Sequence, residues 1–588
     1  MGRHAPKEDG MKRVAIGCGI MLAIFLVLIG LAAGVGRYRS SVKRGSWLEA
    51  TFEGPYLEYR PTSLMAALLL QDRLLLREIT GALDRAAEDP KIAGLVVRID
   101  DLKTGWAQTE EIRDHIIAFR KSGKRAVCYL ETAGEFSSGN LEYYLASGFD
   151  KIYLGPSGDI NLVGLMAQSM FLRGTLDLLG IYPDMEHIGD YKTAMNFWTE
   201  KSFTPAHREM YQNLIESIEK TLVAGVAQGR KLREAEVRAL FRKAPFLGKE
   251  ALQAKLVDGV KYRDQVYEEL KRPGQRKLET VRLERYLKAA GAQATGRNML
   301  AVVYGVGAVL RGKSEFGTDG TQTMGSDTVS RAFREAAEDD AIKAIVFRVD
   351  SPGGSYIASD IIWREVARAR EKKPVVVSMS DLAGSGGYFV AMPATEIVAH
   401  PATLTASIGV LGGKLDVRGF YNKIGVTKDH VSLEPYADMF FDYQRFTPQQ
   451  KLAQWRFLNR VYDDFSRKAA QGRHMKWEDV DRIGRGRVWT GADAKRLGLV
   501  DHLGGMDVAI ARAKDLAKIP ASENVRMRFY PSEKTLWQAL TSRDEDGVAL
   551  SAGRSVRRIA ALLGRMMAAA EARGSDSVLE MSEVPEIR

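Results

Sequence analysis

Short apolar runs alternate with stretches of helical spacing along most of the chain. In its second half, residues 345–349 form an apolar run broken only by Arg348, the mark of a buried strand. Ala358, Ile362, Val366 and Ala369 then recur at three- and four-residue spacing, which puts one apolar face on a helix. Residues 375–377 and 396–399 read as further strands. Strand, helix, strand in this order predicts a parallel sheet with crossover helices, an α/β fold. Active sites of such folds gather at the C-terminal ends of the strands. Residues 14–36 break the pattern. They carry no charge, between Lys12-Arg13 and Arg37, and they exceed the roughly 20 apolar residues that span a bilayer. The expectation is a transmembrane segment, with cleavage at Ala32-Ala33-Gly34 as the alternative. The basic residues at both ends leave its orientation open.

The pattern occurs twice. Residues 86–100 reappear as 336–350, both pairing Ala-Ala-Glu-Asp with an apolar run that ends in aspartate. Tyr143-Tyr144-Leu145-Ala146 returns as Tyr388-Phe389-Val390-Ala391, and Phe203-Thr204-Pro205 as Phe446-Thr447-Pro448. Gln228-Gly229-Arg230 and Leu256-Val257-Asp258 have counterparts in Gln471-Gly472-Arg473 and Leu499-Val500-Asp501. A tandem duplication accounts for this series. The predicted organisation is a tail and membrane segment over 1–46, a first copy over 47–297, a second over 298–530, and a C-terminal part over 531–588. In that last part, residues 556–567 read as a basic amphipathic helix, packed on protein or touching lipid, and acidic 575–586 as disordered.

The copies diverge at two turns. In the second copy, Ser351-Pro352-Gly353-Gly354-Ser355 follows one strand and Ala383-Gly384-Ser385-Gly386-Gly387 follows the next, so the turns should be neighbours. The first copy has Asp101-Leu102-Lys103-Thr104 and Asn140-Leu141-Glu142 in their places. Glycines let backbone amides approach a reacting carbonyl, and a serine before a helix start sits where developing negative charge is favoured. The second copy is therefore the one equipped for nucleophilic chemistry. Ser385 still needs a base. None of the eight histidines stands in a motif; His400 and His430 are nearest, and spacing alone selects no lysine.

Composition narrows the reading further. At 588 residues the chain exceeds one core. Its net charge of +11 suits an anionic membrane surface, and the absence of a zinc-finger or RNP-like pattern argues against nucleic acid. The two cysteines, Cys18 and Cys128, do not form a plausible disulfide, since Cys18 lies in the apolar segment. No metal-ligand motif is present.

Taken together, Asp350-Ser351-Pro352-Gly353-Gly354-Ser355, Ala383-Gly384-Ser385-Gly386-Gly387-Tyr388, Thr405-Ala406-Ser407-Ile408-Gly409 and Tyr191-Lys192-Thr193-Ala194 resemble the signal peptide peptidase A (protease IV) family in its long, two-repeat form. The resemblance covers nearly the whole chain. It implies two tandem crotonase/ClpP-like domains behind a transmembrane helix, and a serine protease with a Ser-Lys dyad. It implies Ser385 as nucleophile and Lys192 as general base, the base coming from the first copy. Ser407 matches the serine that supports the lysine; Gly386, Gly354 and Gly353 match the oxyanion-hole region. No cofactor and no metal are implied. The expected partners are peptide substrates, signal peptides left in the membrane among them, and lipid around 14–36. The implied assembly is a homotetramer on the cytoplasmic (inner) membrane, its catalytic part facing the periplasm. A crotonase-like enzyme acting on acyl thioesters and a non-enzymatic membrane scaffold are the competing classes.

Overall fold

The computed structural model describes residues 42–60, 66, 69–70, 72–290, 296–317, 320–532, 578–580 and 586–587. The apolar segment 14–36 and the basic stretch 556–567 lie outside these. Among the described residues no helix is long and apolar enough to cross a membrane.

Two sheets dominate. The first is all-parallel, with strands in the order Thr280–Arg282, Ser46–Phe52, Ile92–Ile99, Arg125–Leu130, Lys151–Leu154, Gly259–Val260. The second is built around Met299–Val306, Ile342–Ser351 and Val375–Gly384, which pair in parallel. Only the edge formed by Leu404–Ala406 and Val488–Thr490 runs antiparallel. The class is α/β, as the alternation of apolar runs predicts. Ala358, Ile362, Val366 and Ala369 lie on the helix Tyr356–Lys372, and all four are buried.

The sequence echoes between the copies are paired contacts. Thr204 and Thr447 each cap a long helix, Pro205–Arg230 and Pro448–Gly472, by accepting from the backbone amides of His207 and Gln450. Tyr143 donates its hydroxyl to the Leu256 carbonyl at 2.7 Å, and Tyr388 to that of Leu499 at 2.9 Å. Arg230 pairs with Asp258, and Arg473 with Asp501. Each repeated motif makes the same local contact in both copies.

A third, smaller sheet joins the copies. The first-copy strand Tyr182–Ile188 pairs antiparallel with the second-copy strand Val410–Asp416, Ile188 opposite Val410. The same sheet contains Gly353–Ser355 and, antiparallel to it, Val578–Glu580. The acidic end of the chain is thus not wholly without structure, contrary to the sequence expectation. Its backbone finds free strand edges at 353–355 and at Ala167–Gln168, and edge pairing satisfies N–H and C=O groups that composition alone leaves to water.

Candidate active site

Ser385 stands between the strand Val375–Gly384 and the helix Gly386–Ala391. Its φ is 52°, a left-handed conformation uncommon for a side-chain-bearing residue and a form of strain found at functional turns. Its amide is tied to the Ala406 carbonyl at 2.7 Å, so the turn is fixed to the neighbouring strand. The sharp turn also sets the Gly-rich segments side by side: a Cβ on Gly386 would lie 3.0 Å from Gly354 N and 3.1 Å from Gly353 Cα.

Lys192 arrives from the other copy. The antiparallel pairing that ends at Ile188 delivers the chain to the second copy, and the Tyr191 amide is donated to the Arg485 carbonyl. The lysine backbone then lies flat against Gly486, whose Cβ, were there one, would fall 2.3 Å from Lys192 N. Gly409 leaves similar room beside the side chain, 3.1 Å from Cδ. The amine ends 2.7 Å from Ser385 Oγ and 3.1 Å from Ser407 Oγ, with the Ser407 carbonyl at 3.3 Å. Lys192 and Ser407 are each 1 % exposed and Ser385 is fully buried. Residues 193 positions apart thus share one dry site.

Of the glycines singled out in the sequence, Gly353 already donates its amide to Ser351 Oγ at 3.2 Å. Gly386 opens its helix, where first-turn amides have no intrahelical acceptor. Gly354 lies beside it. The two histidines nearest in sequence face elsewhere. His400 is buried against Glu111, and His430 meets Asp438. Among the described residues no cluster of His, Cys, Asp and Glu is placed to hold a metal. Gly409 and Gly486 escaped the sequence reading. Their only signal is glycine itself: one closes the Ser407 motif, and the other sits in Gly484-Arg485-Gly486-Arg487.

The main chain of 578–580 runs alongside Gly353–Ser355, with Gly354 opposite Leu579, and touches Leu411 on its other side. The edge of Gly353–Ser355 is thus paired with an extended segment in antiparallel register, the geometry by which sheet edges take up peptides.

Comparison with known proteins places the chain as a whole. The model of "Peptidase family S49" matches residues 118–278 and 367–520. The chain is 34% identical to the serine protease SPPA, chloroplastic, of Arabidopsis thaliana, over 83% of this chain and 71% of that protein. It is 33% identical to Protease 4 of Salmonella typhi, over 87% and 85% respectively. A putative signal peptide peptidase SppA of Enterococcus faecium is 30% identical over 32% of this chain and 54% of its own length. The protein is a serine peptidase. It belongs to peptidase family S49.

Proposed function

We propose that the protein cleaves peptide bonds with Ser385 as nucleophile and Lys192 as general base. The observation that carries this is the 2.7 Å approach of Lys192 Nζ to Ser385 Oγ in a site closed to water. Withdrawal from water disfavours an ammonium and so favours the neutral amine that a base must be. The amine takes the Ser385 proton as Oγ bonds to the scissile carbonyl carbon. The Gly386 and Gly354 amides hold the resulting oxyanion; loss of one such donor typically costs about 2.7–4 kcal/mol of barrier. Lys192 then returns the proton to the leaving amine as the C–N bond breaks. Water, deprotonated by the same amine, releases the acyl group from Ser385. Ser407 Oγ orients the amine throughout. The substrate lies as a strand along the edge of Gly353–Ser355 that 578–580 occupies.

The substrates we infer are apolar peptides, signal peptides remaining in the membrane after preprotein processing among them. Support comes from the likeness to the putative signal peptide peptidase of Enterococcus faecium and from the apolar segment 14–36, which would hold the enzyme at the membrane. A homotetramer on the inner membrane, facing the periplasm, completes the proposal.

The test compares wild type with Ser385→Ala and Lys192→Met, using a fluorophosphonate probe and a peptide substrate. Loss of labelling in the serine variant, with loss of turnover in both, is the expected result. Normal cleavage by either folded variant would overturn the dyad and reopen the thioester and scaffold readings.

A further inference from the structure

A cleft of about 1310 Å³ opens in the first copy, and none of Ser385, Lys192 and Ser407 lines it. Its walls include 101–104 and 141–142, the counterparts of the second copy's two catalytic turns. It exceeds the roughly 300–1,000 Å³ usual for small-molecule sites. We propose that this cleft is a second peptide-binding site, taking an extended segment that combines lysine or arginine side chains with apolar ones. The proposal rests on the peptidase reading only in taking a peptide as the cargo.

The lining chemistry sets the ligand class. Six carboxylates, of Asp100, Asp101, Glu131, Glu135, Glu142 and Asp159, face one amine, that of Lys103. Arg98 answers Asp100 and Glu131 from behind, and Lys103 lies 4.0 Å from Asp101. Among the described residues no ion pair answers Glu135, Glu142 or Asp159. Glu142 is the telling one. It is 6 % exposed; its Oε1 accepts from the Leu102 amide at 3.1 Å, while its buried Oε2 has no hydrogen-bond donor. A buried acceptor without a donor is costly, and an arriving cationic N–H supplies what is missing. Burial, opposed by its backbone hydrogen bonds, raises this carboxyl to about 7, so an incoming cation readily draws it into the charged form.

Two further features exclude simpler occupants. The carboxylates are spread along the walls, and among the described residues no group of them converges as a metal site. Phe136 stands on the rim, fully exposed and at φ 57°, an apolar ring held out without cover. Trp106 and Tyr262 add aromatic surface to the wall, and such faces receive both apolar side chains and cations. The cleft is also rigidly joined to the catalytic copy. The helix Trp106–Lys121 begins at its wall, and the Gln108 amide is donated to Asp381 Oδ1, on the strand that leads to Ser385. A peptide held in the cleft is held on the body that carries the nucleophile.

The experiment uses the full chain with Ser385→Ala, which blocks cleavage. Two fluorescent Leu/Ala decapeptides are titrated by anisotropy, one with three lysines and one with glutamine in their places. The lysine peptide is expected to bind about tenfold more tightly, and Glu131→Gln with Glu135→Gln to abolish that preference. Phe136→Ala is expected to weaken both peptides several-fold. With Ser385 restored, the double variant should raise KM for the lysine peptide and leave kcat on a short neutral substrate unchanged. Retention of the lysine preference by the double variant, or no preference in the parent, would overturn the proposal. If the wild type cleaves neither peptide, the proposed preference for apolar peptides fails, and the anisotropy titrations still decide the cleft.

Discussion

Gly486 shows how small a change the proposed Lys192–Ser385 pair tolerates. Its φ of +84° and the 2.3 Å clearance to Lys192 N leave no room for a methyl group. Gly486→Ala should push the lysine back from Ser385, and a displacement near 1 Å can cost about a hundredfold in rate. Turnover is expected to fall by that order, with fluorophosphonate labelling slowed and the fold retained by circular dichroism. Ser407→Ala removes a hydroxyl 3.1 Å from the amine. The expected result is a kcat lower by about tenfold at unchanged KM, the value of one hydrogen bond that positions the base. Ser385 and its flanking glycines were legible as a reactive turn, because strand, serine and glycine stand together in the chain. Gly486 was not, since its importance lies in what packs against it.

At the level of elements, the duplication was readable because each repeated motif is a local fastening. Thr447→Ala removes the cap that accepts from the Gln450 amide, and should cost about 1 kcal/mol in a urea titration. The joining sheet was not readable. Strands Tyr182–Ile188 and Val410–Asp416 carry no signal that they pair with each other, because strand register is set by neighbours. Strand 578–580 occupies the edge of Gly353–Ser355 on which we propose the substrate to lie, so removing it should expose that edge. A chain ended at residue 577 is expected to show a several-fold lower KM for a long apolar peptide, measured by initial rates. An unchanged KM would mean that the tail and the substrate do not compete.

Across the whole molecule, the two copies are locked by buried charge. Arg348 of the second copy is 1 % exposed and meets Glu58 at 3.0 Å and Glu111 at 2.9 Å, both from the first half of the chain. Arg348→Met would strand two buried carboxylates, at a cost of about 3–5 kcal/mol, and should lower the unfolding midpoint accordingly. Glu110 adds a pH dependence. Burial raises its carboxyl from 4.5 to about 7, against the pull of His400 and of the Ala402 amide. Below about 4.5 both folded and unfolded chains hold the proton; between there and about 7 only the folded chain does. Stability therefore declines as pH rises through this window, by up to about 3 kcal/mol from this group. Glu110→Gln should flatten that decline, seen as urea midpoints at pH 5 and pH 8 that lie closer together than in the wild type.

The sequence by itself determined the α/β class, the duplication and the divergence of the two copies at their Gly-rich turns, since all three are written in local order and spacing. The family motifs singled out Lys192 and Ser385 by resemblance, but no periodicity or spacing selects that lysine. Only the tertiary structure brought the two together, through strands paired between the copies and a glycine that lets two backbones touch. It alone disclosed the carboxylate-lined cleft of the first copy and the strand at 578–580. The physical reason is common to these cases. Their partners are far apart in the chain, and burial, register and close approach exist only once distant segments have met.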